Sequence, residues 1–143
     1  MEETITMRFP SSYKWLNMID LICSEVTCEM GFSHSSLNEI SISVIEACTN
    51  ALEHGNKSAT GTSVKAVFHR KQDQLVVEVF DTGEGFDYKE YLQHIPDPSD
   101  IHNPRGRGIY IMKEMMDSLA FEKLPDRGMK VTLIKNVDEV DEK

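Results

Sequence analysis

Basic residues are scarce in this chain. Fifteen Lys and Arg stand against 24 Asp and Glu, so the 143 residues carry a formal net charge of −9. Non-specific binding to nucleic acid or to an anionic membrane needs a positive field. The composition therefore predicts no direct contact with nucleic acid and none with a membrane, whereas a basic protein partner is compatible with it.

Long apolar runs and paired cysteines are missing as well. The sequence has no run of about 18 apolar residues, so it predicts no membrane span. The acidic N-terminal segment Met1–Pro10 lacks the apolar core of a signal peptide. The three cysteines, Cys23, Cys28 and Cys48, form no CxxC pair, which favours reduced thiols in a cytoplasmic protein.

The length is sufficient for one domain with a sizeable core, so we expect a single domain over 1–143 with a frayed, charged tail at 138–143. Hydrophobic periodicity predicts the order β-α-α-β-β-loop-α-β-β. Since hairpins dominate, the sheet should be mainly antiparallel with helices on one face. The predicted elements are strand Thr4–Phe9, helix Tyr13–Met30, helix Ser36–Gly55, hairpin Thr62–Phe80, loop Phe86–Pro104, helix Ile109–Ser118 and strands Ala120–Leu124 and Met129–Lys135.

The second helix carries a carboxylate and an amide one turn apart, Glu46 and Asn50, which therefore share a face. An amide oxygen can bind Mg²⁺ beside phosphate oxygens, and a carboxylate can accept a proton from an attacking hydroxyl. Taken alone, the pair is more typical of a solvated helix face. Ser36 followed by Glu39 predicts a capping box at the start of this helix.

Two glycine-containing stretches follow. Asp81-Thr82-Gly83-Glu84-Gly85 places a carboxylate at a strand end, where it could accept a hydrogen bond from an exocyclic amine of a base. Arg105-Gly106-Arg107-Gly108 precedes a helix, and backbone N–H groups and guanidinium groups there suit phosphates. Each stretch by itself is more often a simple turn or a flexible loop. No GxxxxGK[ST] loop is present, which argues against a Walker-type site.

The combination, in this order, resembles the ATP-binding domain shared by gyrase B subunits, heat-shock chaperones, sensor histidine kinases and mismatch-repair ATPases (the GHKL family). The segments EACTNALEHGNK, FDTGEGFD and GRGIYIMKEMMD carry the resemblance. The chain is most similar to the stand-alone subgroup, the anti-sigma-factor serine/threonine kinases of bacteria. This resemblance implies an α+β two-layer sandwich, in which a mixed, mainly antiparallel sheet is backed by about three helices.

The resemblance also implies roles for individual residues. Glu46 would be the general base and Asn50 the Mg²⁺ ligand. Asp81 would bind the adenine amine, and a lid over Phe86–Pro104 would close the site. The remaining residues expected to contact ATP are Gly83, Gly85, Arg105, Gly106, Arg107 and Gly108.

The implied reaction is transfer of the γ-phosphate to a serine or threonine of a small anti-anti-sigma protein. The kinase would also sequester a sigma factor, as a homodimer. The alternative is a switch module of the same fold that binds nucleotide without phosphotransfer. A detached histidine-kinase catalytic domain is disfavoured, because the chain shows no dimerisation helix with a phosphoacceptor histidine.

One position departs from the family pattern. Many members have a threonine after the glycine that precedes the last strand, whereas this chain has Met129 after Gly128. Thr132 lies further along the strand, and we do not expect it to substitute. We interpret Lys130 as a solvent-facing strand residue.

Overall fold

The computed structural model describes residues 2–57, 61–83 and 104–138. Strands fall where apolar residues alternate, and helices where they recur every three or four positions. In chain order the elements are β1 (Glu3–Pro10), a 3₁₀ turn (Tyr13–Trp15), α1 (Leu16–Thr27), α2 (His34–Asn50) with a π-helical extension (Ala51–Gly55), β2 (Ser63–Arg70), β3 (Gln74–Phe80), α3 (Pro104–Met115), β4 (Ser118–Lys123) and β5 (Met129–Asn136).

The five strands form one sheet in the order β1-β2-β3-β5-β4. All four neighbouring pairs are antiparallel, with Phe68 opposite Val77 and Val79 opposite Val131. The predicted α+β sandwich with three helices is therefore confirmed. The implied mixed sheet needs a correction, because no parallel pair occurs among the described strands.

One face of the sheet packs on the helices and forms the core. Leu75, Val77 and Val79 on β3 are at most 1% exposed, since every second residue of a strand points to the same side. The helices contribute Ile19 from α1 and Val44 from α2, both fully buried. This core fixes α2 and α3 side by side over β3 and β5.

The start of α2 differs from the predicted capping box. Ser33 is the N-cap, and its Oγ accepts a hydrogen bond from the Ser36 amide at 3.1 Å. Ser36 is buried inside the helix and donates its hydroxyl to Asp138 at 2.8 Å. Glu39 pairs instead with Lys135 at 3.3 Å. Glu39 also accepts a hydrogen bond from the Ser35 hydroxyl at 3.2 Å, so the two side chains of the predicted box bond to other residues and not to each other.

Other boundaries also shift. Helix α1 ends at Thr27, whose hydroxyl bonds back to the Cys23 carbonyl, and not at Met30. Helix α3 begins at Pro104 and not at Ile109, so its glycines lie within its first turns. Asp138, expected in the frayed tail, is held at the N-terminus of α2, and residues 139–143 lie outside the described part.

Candidate functional site: a cleft between two helices and the sheet

Glu46 and Asn50 face α3 and not open solvent. A Cβ added at Gly108 would lie 2.8 Å from Glu46 Oε2 and 3.3 Å from Asn50 Nδ2. Both side chains are half-buried. The absence of a side chain at Gly108 thus lets the first part of α3 approach this pair closely, and the structure brings three of the predicted site residues together.

Burial and two charged neighbours determine the pKa of Glu46. Burial raises the pKa of its carboxyl group above the ordinary value, the nearby Arg107 guanidinium lowers it, and the Glu53 carboxylate raises it again, with a net upward shift. Glu53 lies two turns along from Glu46 and accepts a hydrogen bond from the Tyr13 hydroxyl. A carboxylate with a raised pKa is a better proton acceptor than an exposed one.

The Asn50 amide is unusual for a buried polar group. Its Nδ2 is buried and has no hydrogen-bond partner among the residues described. An unpaired buried amide hydrogen is costly, so such groups usually have a partner or a ligand. Since the two ends of an amide exchange by rotation, Asn50 is able to present its oxygen to the cleft.

Asp81 marks the other end of the site, where β3 ends. It is 8% exposed, and its Oδ1 accepts a hydrogen bond from the Gly83 amide at 2.8 Å. Its backbone amide donates to the Met129 carbonyl at 3.1 Å. The carboxylate is therefore held by its own loop and by the start of β5.

Close backbone packing around Asp81 requires glycine. A Cβ at Gly55 would lie 2.3 Å from the Asp81 carboxylate, and one at Gly83 would lie 1.8 Å from the Gly55 carbonyl oxygen. Gly128 has φ of +107° and approaches the Asp81 carbonyl equally closely. The end of the α2 extension, the β3 loop and the β5 turn thus converge on this carboxylate.

Between these two ends lies a narrow cleft with a cavity volume of about 20 Å³. Apart from Asn50 and Asp81, its lining side chains are apolar or absent. Apolar walls with one carboxylate match the chemistry of a planar base with an exocyclic amine, and a bound base would require the cleft to open beyond this volume. The other lining residues are Ala47, Ala51, Gly55, Val79, Met112, Phe121, Met129 and Val131.

Strand β5 begins with Met129, at the position of the expected threonine. Met129 is buried and lines the cleft. Thr132 pairs with Glu78 on the opposite face of the sheet, so it cannot reach the cleft. Lys130 lies on that same outer face with its Nζ 3.0 Å from Glu122, as expected for a solvent-facing strand residue.

Some predicted residues lie outside what the structure describes. Gly85 and nearly all of the expected lid, residues 86–103, belong to this part, and so do the side chain of Arg105 and the environment of Gly106 in the first turn of α3. Their predicted contacts with ATP stay predictions. Among the described residues, no group of three or more His, Cys, Asp or Glu side chains could hold a metal ion.

Sequence reasoning missed one residue, Asn56. It is 5% exposed, and its Oδ1 accepts hydrogen bonds from the Thr82 amide at 2.9 Å and the Thr82 hydroxyl at 3.1 Å. Asparagine after glycine in EHGNK reads as an ordinary helix end, so the sequence carried no sign of this burial.

The fold and the cleft define a nucleotide-binding domain of the ATPase type, and the comparisons agree. Residues 9–135 match the family model described as the histidine kinase-like ATPase domain. The chain therefore belongs to the family of histidine kinase-like ATPase domains.

Its relatives narrow the class. The chain is 30% identical over 141 residues to the serine-protein kinase RsbW of Bacillus cereus (strain ATCC 10987 / NRS 248), covering 94% of this chain and 86% of the relative. It is equally similar to the RsbW of Bacillus thuringiensis subsp. konkukian (strain 97-27), and 29% identical to that of Bacillus mycoides (strain KBAB4), with the same coverage. The comparisons confirm the predicted family and support the predicted class of enzyme, a serine/threonine protein kinase.

Two further observations concern the described residues alone. None of their helices is long and apolar enough to cross a membrane. All three cysteines are free thiols, with Cys23 and Cys48 buried, and burial raises the pKa of Cys23 to about 12.

Proposed function

We propose that this protein is an ATP- and Mg²⁺-dependent serine/threonine protein kinase that phosphorylates a small anti-anti-sigma protein and sequesters a sigma factor. The observation that carries the proposal is the contact of Gly108 with Glu46 and Asn50. It brings a proton acceptor, an amide and the first turns of α3 together at the Asn50 end of the cleft.

Asp81 supports binding of adenine and not guanine. Its carboxylate accepts hydrogen bonds, so it favours the 6-amino group of adenine and repels the carbonyl oxygen that guanine has at that position. The apolar cleft walls, Val79, Met112 and Met129 among them, exclude water from the base.

Asn50 and Arg107 suit the phosphate end. The unpaired Asn50 nitrogen would donate to a phosphate oxygen, and rotation of the amide would instead turn its neutral oxygen toward Mg²⁺, which often takes one protein oxygen beside phosphate oxygens. When bound, Mg²⁺ supplies neutralisation of the charge on the phosphates. Arg107 lies near enough to Glu46 to lower the pKa of that carboxyl group, and its guanidinium would pair with a phosphate there.

Glu46 is the proposed general base. Its carboxylate lies next to the first turns of α3, and burial raises its pKa, so it accepts a proton from a serine hydroxyl more readily than an exposed glutamate does. Proton removal at this position makes the hydroxyl oxygen the nucleophile toward the γ-phosphate.

The partner part of the proposal rests on the resemblance to anti-sigma-factor kinases. Exposed apolar side chains on the neighbouring helices α1 and α2 favour protein partners and a homodimer, since covering them removes apolar surface from water. Leu21 is 67% exposed, and Met18 and Ile42 are each about 40% exposed. Neither helix contains Lys or Arg, so a partner with basic residues is favoured.

The test compares Glu46→Gln with wild type, using labelled ATP, Mg²⁺ and a candidate anti-anti-sigma protein. We expect unchanged ATP affinity and at least a 100-fold loss of phosphotransfer, in the range typical of a lost general base. Glu114→Gln is the matched control, because this carboxylate is exposed on α3. Full activity of Glu46→Gln would refute the role of Glu46. ATP binding without phosphotransfer in the wild type would favour the switch module.

A further inference from the structure

Asn56 is a buried amide whose hydrogen-bonding capacity is fully used. The Nδ2 group donates to the Ser11 hydroxyl and to the Ser63 carbonyl, each at 2.9 Å. The Oδ1 atom accepts from both the amide and the hydroxyl of Thr82. Two donors and two acceptor positions are the complete inventory of an asparagine side chain.

These bonds join four separate segments. Ser11 follows β1, Ser63 begins β2, Thr82 follows β3, and Asn56 itself ends the extension of α2, where its backbone amide donates to the Ala51 carbonyl at 2.8 Å. Buried amide networks of this kind specify one arrangement, because any displacement leaves polar groups unpaired.

The hydrogen bonds of Asn56 lie beside the Asp81 end of the cleft. Asn56 follows Gly55, whose Cα approaches the Asp81 carboxylate, and it holds Thr82, the residue directly after Asp81. Asn50 lies on the same continuous helix and extension, six positions before Asn56. The side chain of Asn56 thus fixes the Asp81 carboxylate relative to the helix that carries Asn50.

We propose that Asn56 is a positioning residue for base selection: it holds the Asp81–Gly83 loop so that the carboxylate meets the exocyclic amine of the base while Asn50 stays at the phosphate end. The inference rests on the proposed function, since it needs a base in this cleft. Asn56 has no contact with the nucleotide in this role and acts through the Thr82 backbone.

A merely structural role makes a different prediction. If Asn56 only stabilised the fold, its loss would reduce the folded fraction, and binding of every nucleotide would fall by the same factor. If it positions Asp81, nucleotides that have the 6-amino group lose more affinity than those that lack it. The ratio of two affinities is independent of the folded fraction and separates these cases.

The experiment measures the dissociation constants of ATP and of purine riboside triphosphate, which lacks the 6-amino group, by calorimetry with Mg²⁺ present. Wild type should prefer ATP by about tenfold or more, the range of a hydrogen bond to a charged group. In Asn56→Ala we expect the preference to fall to about threefold or less. Asn136→Ala is the control, because this amide accepts a hydrogen bond from Gln74 at the end of β3 opposite Asp81 and should leave the ratio unchanged.

An unchanged ratio in a folded Asn56→Ala overturns the inference while leaving ATP binding intact. If wild type fails to bind ATP, the proposed function fails and this inference with it. Should Asn56→Ala not fold, Asn56→Asp provides the comparison, since it keeps an oxygen toward Thr82. Its ratio should stay within about threefold of wild type, and loss of the preference there would overturn the inference.

Discussion

A single methyl group at Gly108 should impair phosphotransfer without harming the fold. In Gly108→Ala, the new Cβ would start 2.8 Å from Glu46 Oε2, whereas ordinary contacts begin at 3.4 Å, so the carboxylate must retreat by about 0.6 Å. The atom that moves is the end of a flexible side chain, so the displacement is cheap for the fold. A misplacement of about 1 Å at a reacting group can cost about 100-fold in rate, so we expect a loss of phosphotransfer of about 10- to 100-fold.

The stability of Gly108→Ala should increase slightly or stay unchanged. Gly108 lies inside α3, where alanine is favoured over glycine by about 1 kcal/mol. This gain offsets the repacking around Glu46. The melting temperature of Gly108→Ala should therefore equal or slightly exceed that of wild type.

The assay combines thermal unfolding with single-turnover phosphotransfer from labelled ATP to the anti-anti-sigma protein. Gly61→Ala is the matched control, because Gly61 has φ of +84° and a Cβ there meets no described atom within 4 Å. It should lose about 1–2 kcal/mol of stability from backbone strain alone, with full activity per folded molecule. Wild-type rates in Gly108→Ala would show that the Glu46 carboxylate is not at the reacting centre, and its unfolding would show that the contact is structural.

Three other substitutions test the same geometry. Gly83→Ala would place a Cβ 1.8 Å from the Gly55 carbonyl oxygen, which is backbone and cannot yield; we expect a loss of about 2 kcal/mol or more in chemical denaturation, and near-native stability would contradict this packing. Glu53→Gln removes a charge that raises the Glu46 pKa, so the acidic limb of the pH–activity profile should move to lower pH. An unchanged limb would show that it does not report the protonation of Glu46. Glu46→Gln should raise the melting temperature at neutral pH, because a folded pKa above the unfolded one means that the charged carboxylate destabilises the fold. The gain should vanish below the ordinary glutamate pKa, where both states are protonated, and a gain independent of pH would point to packing.

Element types were predictable from the sequence, but helix starts were not. Alternation and 3.6-residue periodicity depend only on which face is buried, and they placed β3 and β5 correctly. The start of α2 depended on Asp138, which lies over 100 positions away and bonds Ser36. A capping box assumes that the serine side chain bonds to a backbone amide three residues later. Here the Ser36 hydroxyl donates to the distant Asp138 carboxylate.

The site was predictable to the extent that it follows helix geometry. One-turn spacing placed Glu46 and Asn50 on one face, but only the tertiary structure shows that this face meets Gly108. Asn56 could not be found because burial of a polar side chain leaves no mark on the sequence. The consequence of Met129 could be expected only in part: register shows that Thr132 lies on the other face.

The α2–α3 contact combines two costs that a purely structural interface would avoid. The Asn50 amide nitrogen is buried without a described partner, which ordinarily costs about 1–3 kcal/mol. The Glu46 carboxylate is partly desolvated, so its charged form is disfavoured. Both lie against Gly108, where a larger residue would have covered them or driven them apart. The Ser43 hydroxyl is also buried without a described partner, but only at Gly108 do an unpaired amide and a desolvated carboxylate meet, as expected where a ligand completes the interactions. A phosphate oxygen that accepted a hydrogen bond from the Asn50 amide would remove the first cost, and a substrate hydroxyl that donated its hydrogen to the Glu46 carboxylate would offset the second.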